Sequence, residues 1–120
     1  MIDHIGFEVS DLDRSTRFYD AVFFALGARR MLETDSLVAY GINAPTIYVV
    51  MRGRTPGPGY GHLALQASGK AAVDAAYGAG LANGGRDDGP PGQRPQYGRR
   101  YYAAYLIDPD GLRVEVVSRK

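Results

Sequence analysis

From residue 2 to residue 9 the side chains alternate: Ile5, Phe7 and Val9 share one face, while His4, Gly6 and Glu8 share the other. A period of two predicts a strand. Its apolar face reads as core. The opposite face, with an imidazole, a glycine and a carboxylate, suits a cavity wall, and Gly6 leaves space beside the imidazole. Ser10 and Asp11 are helix-start residues, because either side chain can accept from first-turn amides. Leu12, Ser15, Phe18, Tyr19, Val22, Phe23 and Leu26 then recur at helical spacing, and Gly27 is a natural C-cap. Strands are predicted over residues 29–34, 37–42 and 46–51, with turn chemistry at Asp35 and Ser36 and at Asn43, Ala44 and Pro45.

Residues 52–60 hold three glycines and two prolines and read as a linker. The pattern then restarts, with a strand over 61–67 and a helix opening at Ser68 that carries Val73, Ala76, Tyr77, Gly80 and Leu81 on one face. That helix is rich in alanine and glycine, so close packing must hold it. A short strand is expected near 84–86, followed by a Gly/Pro-rich loop over 87–96. A hairpin over 101–107 and 112–118 turns at Asp108, Pro109, Asp110 and Gly111. Sliding the chain by 58 residues lays His4 on His62, Ser10 on Ser68, Tyr19 on Tyr77, Ala21 on Ala79 and Gly27 on Gly85. The chain reads as one domain, residues 1–120, made of module 1 (about 1–52), a linker (53–60) and module 2 (about 61–120).

Composition narrows the function classes. A formal net charge of +1 gives no support to nucleic-acid or anionic-membrane binding, and no apolar run approaches the ~20 residues of a membrane helix. The first residues already read as a strand rather than a secretion signal, so a cytoplasmic location is the default expectation. With no cysteine there are no disulfides, zinc–thiolate sites or thiol nucleophiles. Residues 87–92 lack the strand-to-helix context of a nucleotide-binding loop.

The two histidines of the chain, His4 and His62, fall at the same place in the repeat. In the last strand Arg113, Glu115 and Val117 share the face opposite Leu112, Val114 and Val116. A carboxylate inside a strand is costly without a partner. His4, His62 and Glu115 are therefore candidate metal ligands, a set that suits Fe(II), Mn(II), Ni(II) or Zn(II). The bland alternatives are hydrogen-bonded structural histidines and a Glu115 paired with Arg113 or another arginine.

The two repeat histidines, the segment from Asp108 through Gly111 to Glu115, and the doubled βαβββ order together resemble the vicinal oxygen chelate superfamily of glyoxalases, bleomycin-resistance proteins and extradiol dioxygenases. The resemblance implies an α+β fold in which two βαβββ modules form a half-open, eight-stranded barrel around a central cavity. It also implies a divalent metal that chelates two adjacent substrate oxygens. Glyoxalase I members carry a fourth ligand, a glutamate, where this chain has Tyr48, so true glyoxalase I activity is disfavoured. Extradiol dioxygenases carry a tyrosine ten residues before the glutamate, the spacing of Tyr105, but also need further histidines; Arg100 stands where one is expected.

Tyr105 and Tyr48 are accordingly candidate catalytic residues, as hydrogen-bond donors or proton carriers. Residues 94–102 pack three arginines and three tyrosines. Arg94, Tyr97, Arg100 and Tyr102 are candidate substrate contacts for an anionic small molecule, on a loop over 87–100 expected to act as a lid. The expected function is a metal-dependent lyase, isomerase or ring-cleaving oxygenase. The alternative is a metal-free small-molecule binding protein of the bleomycin-resistance type. A homodimer is expected, since two modules leave sheet edges and apolar faces to cover.

Overall fold

The computed structural model describes residues 1–59 and 61–120. Tyr60, the last residue of the predicted linker, lies outside them. In chain order the elements are β1 (Ile5–Val9), α1 (Leu12–Ala25), β2 (Arg29–Glu33), β3 (Leu37–Gly41), β4 (Pro45–Met51), β5 (His62–Gln66), α2 (Lys70–Ala82), β6 (Arg86–Gln93), β7 (Tyr102–Ile107) and β8 (Arg113–Ser118). This is the expected doubled βαβββ order in an α+β fold. The eight strands are hydrogen-bonded as two separate four-stranded sheets, β1-β4-β3-β2 and β5-β8-β7-β6. In each module the first strand runs parallel to the last, and the remaining pairs are antiparallel. No helix among the described residues is long and apolar enough to cross a membrane.

Pairing follows the repeat. Gly6 faces Tyr48 across β1 and β4, and Ala64 faces Glu115 across β5 and β8. Because Ala64 is the repeat equivalent of Gly6, Tyr48 and Glu115 occupy matching places in the two modules.

Local chemistry explains the helix ends. Asp11 caps α1 by accepting from the Arg14 amide at 3.0 Å. Gly27 takes a φ of +83°, which only glycine adopts at little cost, as the chain leaves the helix. The second helix starts differently from the sequence expectation. Ser68 does not open it; Gly69 holds the cap position in extended backbone, with no side-chain cap bond.

The two helices pack on each other, and one buried cluster runs through both modules, from Val9, Phe18, Tyr19 and Val49 to Val73, Ala76, Leu106 and Val114. Phe18 explains the small residues of α2. A Cβ at Gly80 would stand 2.7 Å from Leu106 and 3.2 Å from the Phe18 ring, and one at Gly85 would stand 2.5 Å from that ring. The glycines are the slot into which Phe18 fits.

Residues 87–96, expected to be a loop, are mostly strand. β6 reaches Gln93 and pairs Asp87 with Leu106, Gly89 with Tyr105 and Gly92 with Ala103, with register breaks around Pro90 and Pro91. Proline removes a donor but not an acceptor, so an edge strand tolerates it, and here the bulges absorb both. The remainder, from Arg94 to Tyr101, is a closed turn: the Arg94 amide donates to the Tyr101 carbonyl at 2.8 Å and the Tyr97 amide to the Arg94 carbonyl at 2.9 Å. The expected lid is therefore a bulged hairpin.

A polar tether joins the modules. Asp108, 2 % exposed, accepts from the Tyr19 hydroxyl at 2.7 Å and from the amides of Asp110 and Leu112 at 2.9 and 2.8 Å. Asp110 accepts from the Ser10 amide at 2.9 Å, the Ser10 hydroxyl at 2.5 Å and Arg14 at 3.1 Å. Burial raises the Asp108 pKa more than these donors lower it, and pushes the Tyr19 phenol well above its ordinary value.

Asp108→Ala strips one buried and two part-buried donors of their acceptor and should cost about 2–4 kcal/mol in urea unfolding. Asp108→Asn, which keeps an acceptor for the two amides, should cost roughly half as much or less. The folded chain holds the Asp108 proton to a higher pH than the unfolded chain does. The carboxyl's stabilisation is therefore complete below its ordinary value of 3.8 and is lost as pH rises through the folded value. The parent's advantage over Asp108→Asn should shrink across that window; an advantage that grows with pH contradicts the assignment.

Candidate functional site

Period-two alternation places Tyr101, Ala103 and Tyr105 of the β7 region and Arg113, Glu115 and Val117 of β8 on the sheet face turned away from the helices. On that face Glu115 is 2 % exposed. One of its oxygens, Oε1, lies 3.1 Å from His62 Nε2, and the other accepts from the Tyr101 hydroxyl in a short hydrogen bond. Tyr105 sits directly across the β7–β8 ladder from Glu115. Burial and then the Glu115 contact push the Tyr101 phenol up to about 12, and burial followed by the Glu115 charge raises Tyr105. Both phenols are therefore protonated at neutral pH; Tyr101 donates to Glu115, and the Tyr105 hydroxyl is a donor rather than a base.

Two cavities open beside this group. One, of about 200 Å³, is lined by His62, Tyr97, Tyr101, Tyr105, Arg113 and Glu115. The other, of about 250 Å³, is lined by Asp88, Gly89, Arg94, Gln96, Tyr97, Tyr105 and Arg113. The Arg113 guanidinium lies 4.1 Å over the Tyr105 ring and Arg119 lies 4.7 Å over Tyr101. Tyr97 meets Tyr101 edge-on at 5.4 Å. A larger hollow of about 430 Å³, between Phe23, Leu26, the β3–β4 turn and β5, is mostly apolar and is not lined by Glu115.

The expected site residues divide between the sheets. His62, Glu115, Tyr105, Tyr97 and Arg94 gather as described. His4 precedes β1 in the other sheet, where its Nδ1 is 2.6 Å from Asp3 and its ring packs 4.9 Å from Tyr48. Among the described residues of one chain, no three His, Asp or Glu side chains meet as a metal-holding group. Glu8, also on the His4 face, forms a two-pronged pair with Arg54 at 2.9 and 2.8 Å.

Two expected substrate contacts fall elsewhere. Tyr102 points to the helix side, where its hydroxyl donates to Asp74 at 2.7 Å and Lys70 lies over its ring; a strand residue next to Tyr101 and Ala103 must face the other way. Arg100 is exposed in the turn and lines neither cavity. Sequence reasoning passed over Tyr101 and Asp88 and gave Arg113 only as a pairing partner for Glu115. Tyr101 was recoverable from its four-residue spacing to Tyr105. Asp88 was not, since it reaches the site only through the irregular pairing of β6.

With this geometry in view, the relatives can be placed. The model of the Glyoxalase/Bleomycin resistance protein/Dioxygenase superfamily matches residues 1–116, and the chain belongs to that superfamily. Among solved structures, a glyoxalase/bleomycin resistance protein from Albidiferax ferrireducens T118 is 33% identical, with a TM-score of 0.86 over 98% of this chain and 97% of that one. The fosfomycin resistance protein FosX from Mesorhizobium loti is 24% identical, with a TM-score of 0.72 over 98% of this chain and 91% of that one. A V278E mutant of glyoxalase I from Zea mays is 23% identical, with a TM-score of 0.73 over 97% of this chain and 45% of that longer one. At those lower identities the likeness is one of fold. A search of curated proteins finds no match.

The opposed faces of Tyr101 and Tyr102 give a test. Tyr101→Phe leaves a buried carboxylate oxygen short of a donor and should lower stability by about 1–3 kcal/mol in urea unfolding. Tyr102→Phe loses a more exposed bond and should cost less than about 1 kcal/mol. Equal losses would contradict the face assignment.

Proposed function

We propose that this chain is a divalent-metal-dependent enzyme acting on a small oxygenated molecule, with His62 and Glu115 as two ligands and His4 of a second copy of the chain as the third. The observation that carries this is the 3.1 Å separation of His62 Nε2 from Glu115 Oε1. Two donors ~2.1 Å from one ion and at right angles to each other stand ~3 Å apart, so the pair already has the spacing of neighbouring ligands. The Tyr101 hydroxyl on the other Glu115 oxygen is the kind of outer contact that orients a ligating carboxylate. The donor set, imidazole and carboxylate without thiolate, suits Fe(II), Mn(II), Ni(II) or Zn(II).

The second copy is called for because His4 lies in the other sheet. Both β1 and β5 are edge strands with an open side, and Ile5 of β1 is 38% exposed, as an interface between copies would require. When bound, the ion would supply Lewis acidity to two neighbouring substrate oxygens. The chain's own part is to hold Glu115 through Tyr101 and to donate a hydrogen bond from Tyr105 to oxygen that gains negative charge. Tyr48 stands where a second module carboxylate would be, so no glutamate is available there to move a proton between carbons. This favours oxygenase or lyase chemistry of another kind over the glyoxalase I reaction.

One observation favours a second reading, a binding protein without metal: both oxygens of Glu115 already have a contact within the chain, His62 Nε2 at one and the Tyr101 hydroxyl at the other. Elemental analysis after loading with each of the four metals separates the two. The enzyme reading expects one ion per chain, lost in His62→Ala, Glu115→Gln and His4→Ala alike, and a dimer by light scattering at micromolar concentration. Substoichiometric metal with all four ions would sink it, and His4→Ala binding metal as the parent does would remove the shared site.

A further inference from the structure

The two cavities beside Glu115 share Tyr97, Tyr105 and Arg113, and so make one groove. His62 and Glu115 lie at one end; Asp88 and Arg94 lie at the other. Arg113 stands between them with its guanidinium 4.1 Å over the Tyr105 ring. Its Nε donates to Asp88 at 2.6 Å, and among the described residues that is its one hydrogen bond. Its two terminal nitrogens have no hydrogen-bond partner among the described residues, and the side chain lines both cavities, so the guanidinium fork is available to a ligand there. Arg94 approaches the same ring from 5.6 Å, anchored through the Pro90 carbonyl at 2.7 Å.

Two guanidiniums on one phenol ring repel each other unless negative charge is shared between them. Asp88 supplies part of it on the far side of Arg113. Asp88 and Glu115 match the two guanidiniums in formal charge, so the groove has no surplus positive field to hold a second negative charge, and an anion is held there through direct contact with the Arg113 fork. Tyr97 and Tyr105 line both cavities, and aromatic rings are complementary to a flat body.

We propose that this groove is a subsite for a planar, singly charged carboxylate, an aryl or enoyl acid, with Arg113 as the specificity-determining contact and Asp88 as its positioning residue. The carboxylate sits on the Arg113 fork with Arg94 beside it, and the flat body runs along Tyr105 towards His62 and Glu115. The far end of the ligand rests on the metal reading above; the anion contact does not.

Calorimetric titration with benzoate, benzamide and phenylphosphonate tests this, first in EDTA and then with Mn²⁺. The parent should bind benzoate at least about tenfold tighter than uncharged benzamide, and tighter than phenylphosphonate at pH 8, where that probe is largely a dianion. Arg113→Gln should weaken benzoate about ten- to a hundred-fold and leave benzamide unchanged. Arg113→Lys keeps the charge without the fork and should fall between. Asp88→Asn leaves one more net positive charge beside the fork, so charge alone would raise the benzoate-to-benzamide preference; the positioning role instead lowers it with the circular dichroism unchanged, and a raised preference would overturn that role. No benzoate binding by the parent, equal affinity for benzoate and benzamide, phenylphosphonate binding tighter than benzoate, or Arg113→Gln binding benzoate like the parent would each overturn the proposal. Mn²⁺ held at full stoichiometry with no benzoate preference sinks this subsite alone. Benzoate preference in EDTA with no metal ever bound sinks the metal reading alone.

Discussion

The site depends on one buried carboxylate. Asp108 is out of water, and a group of that kind is tolerable only when its oxygens are occupied. The amides of Asp110 and Leu112 and the Tyr19 hydroxyl occupy them. These bonds shape the turn that starts β8 and fasten it to α1 in the other module. The next turn residue but one, Asp110, holds the Ser10 amide at the end of β1. A single four-residue turn thus pins one end of β1 and one end of β8, the strands next to His4 and under Glu115. Positions along β8 follow from that anchor at the fixed rise of a strand.

From the anchor onward, alternation sorts the chemistry. Residues on one parity fill the shared core against α1 and α2; those on the other form the face with Glu115, Tyr101, Tyr105 and Arg113. The two modules use the same frame differently. In module 2 the central position of the last strand is a carboxylate with an imidazole beside it. In module 1 the matching position is Tyr48, packed at a tilt against the His4 ring. Duplication supplied two frames, and the side chains divide the labour between them.

Much of this was legible in the chain. The alternation around His4 and Glu115, the helical spacing from Leu12 to Leu26 and the Asp-Pro-Asp-Gly turn each carry a local signal strong enough to define an element. The repeat extended that reading to the doubled βαβββ order. Three things were hidden. Pro90 and Pro91 argue against a strand by composition, and only their edge position with bulges makes β6 possible. Aromatic content does not separate Tyr101 from Tyr102; only the parity of the strand does, and it turns Tyr102 to the helices. The separation of His4 from His62 depends on how two sheets sit around a pair of helices, and periodicity within a strand contains nothing about that.

The prolines of β6 have a consequence beyond their own strand. A sheet of four has two open sides, and each is a template on which a stray chain can add. In the second sheet, Pro90 and Pro91 interrupt the outer side; in the first, the outermost strand β2 carries Arg29, Arg30 and Glu33. The opposite margins, β1 and β5, have no such guard: Ile5, Gly6 and Phe7 on one, Leu63 and Ala64 on the other. Whatever stickiness the fold retains is thereby confined to the two strands that flank the histidines. A molecule that protects itself from fibril growth on its outer flanks leaves only the side with the histidines available for company.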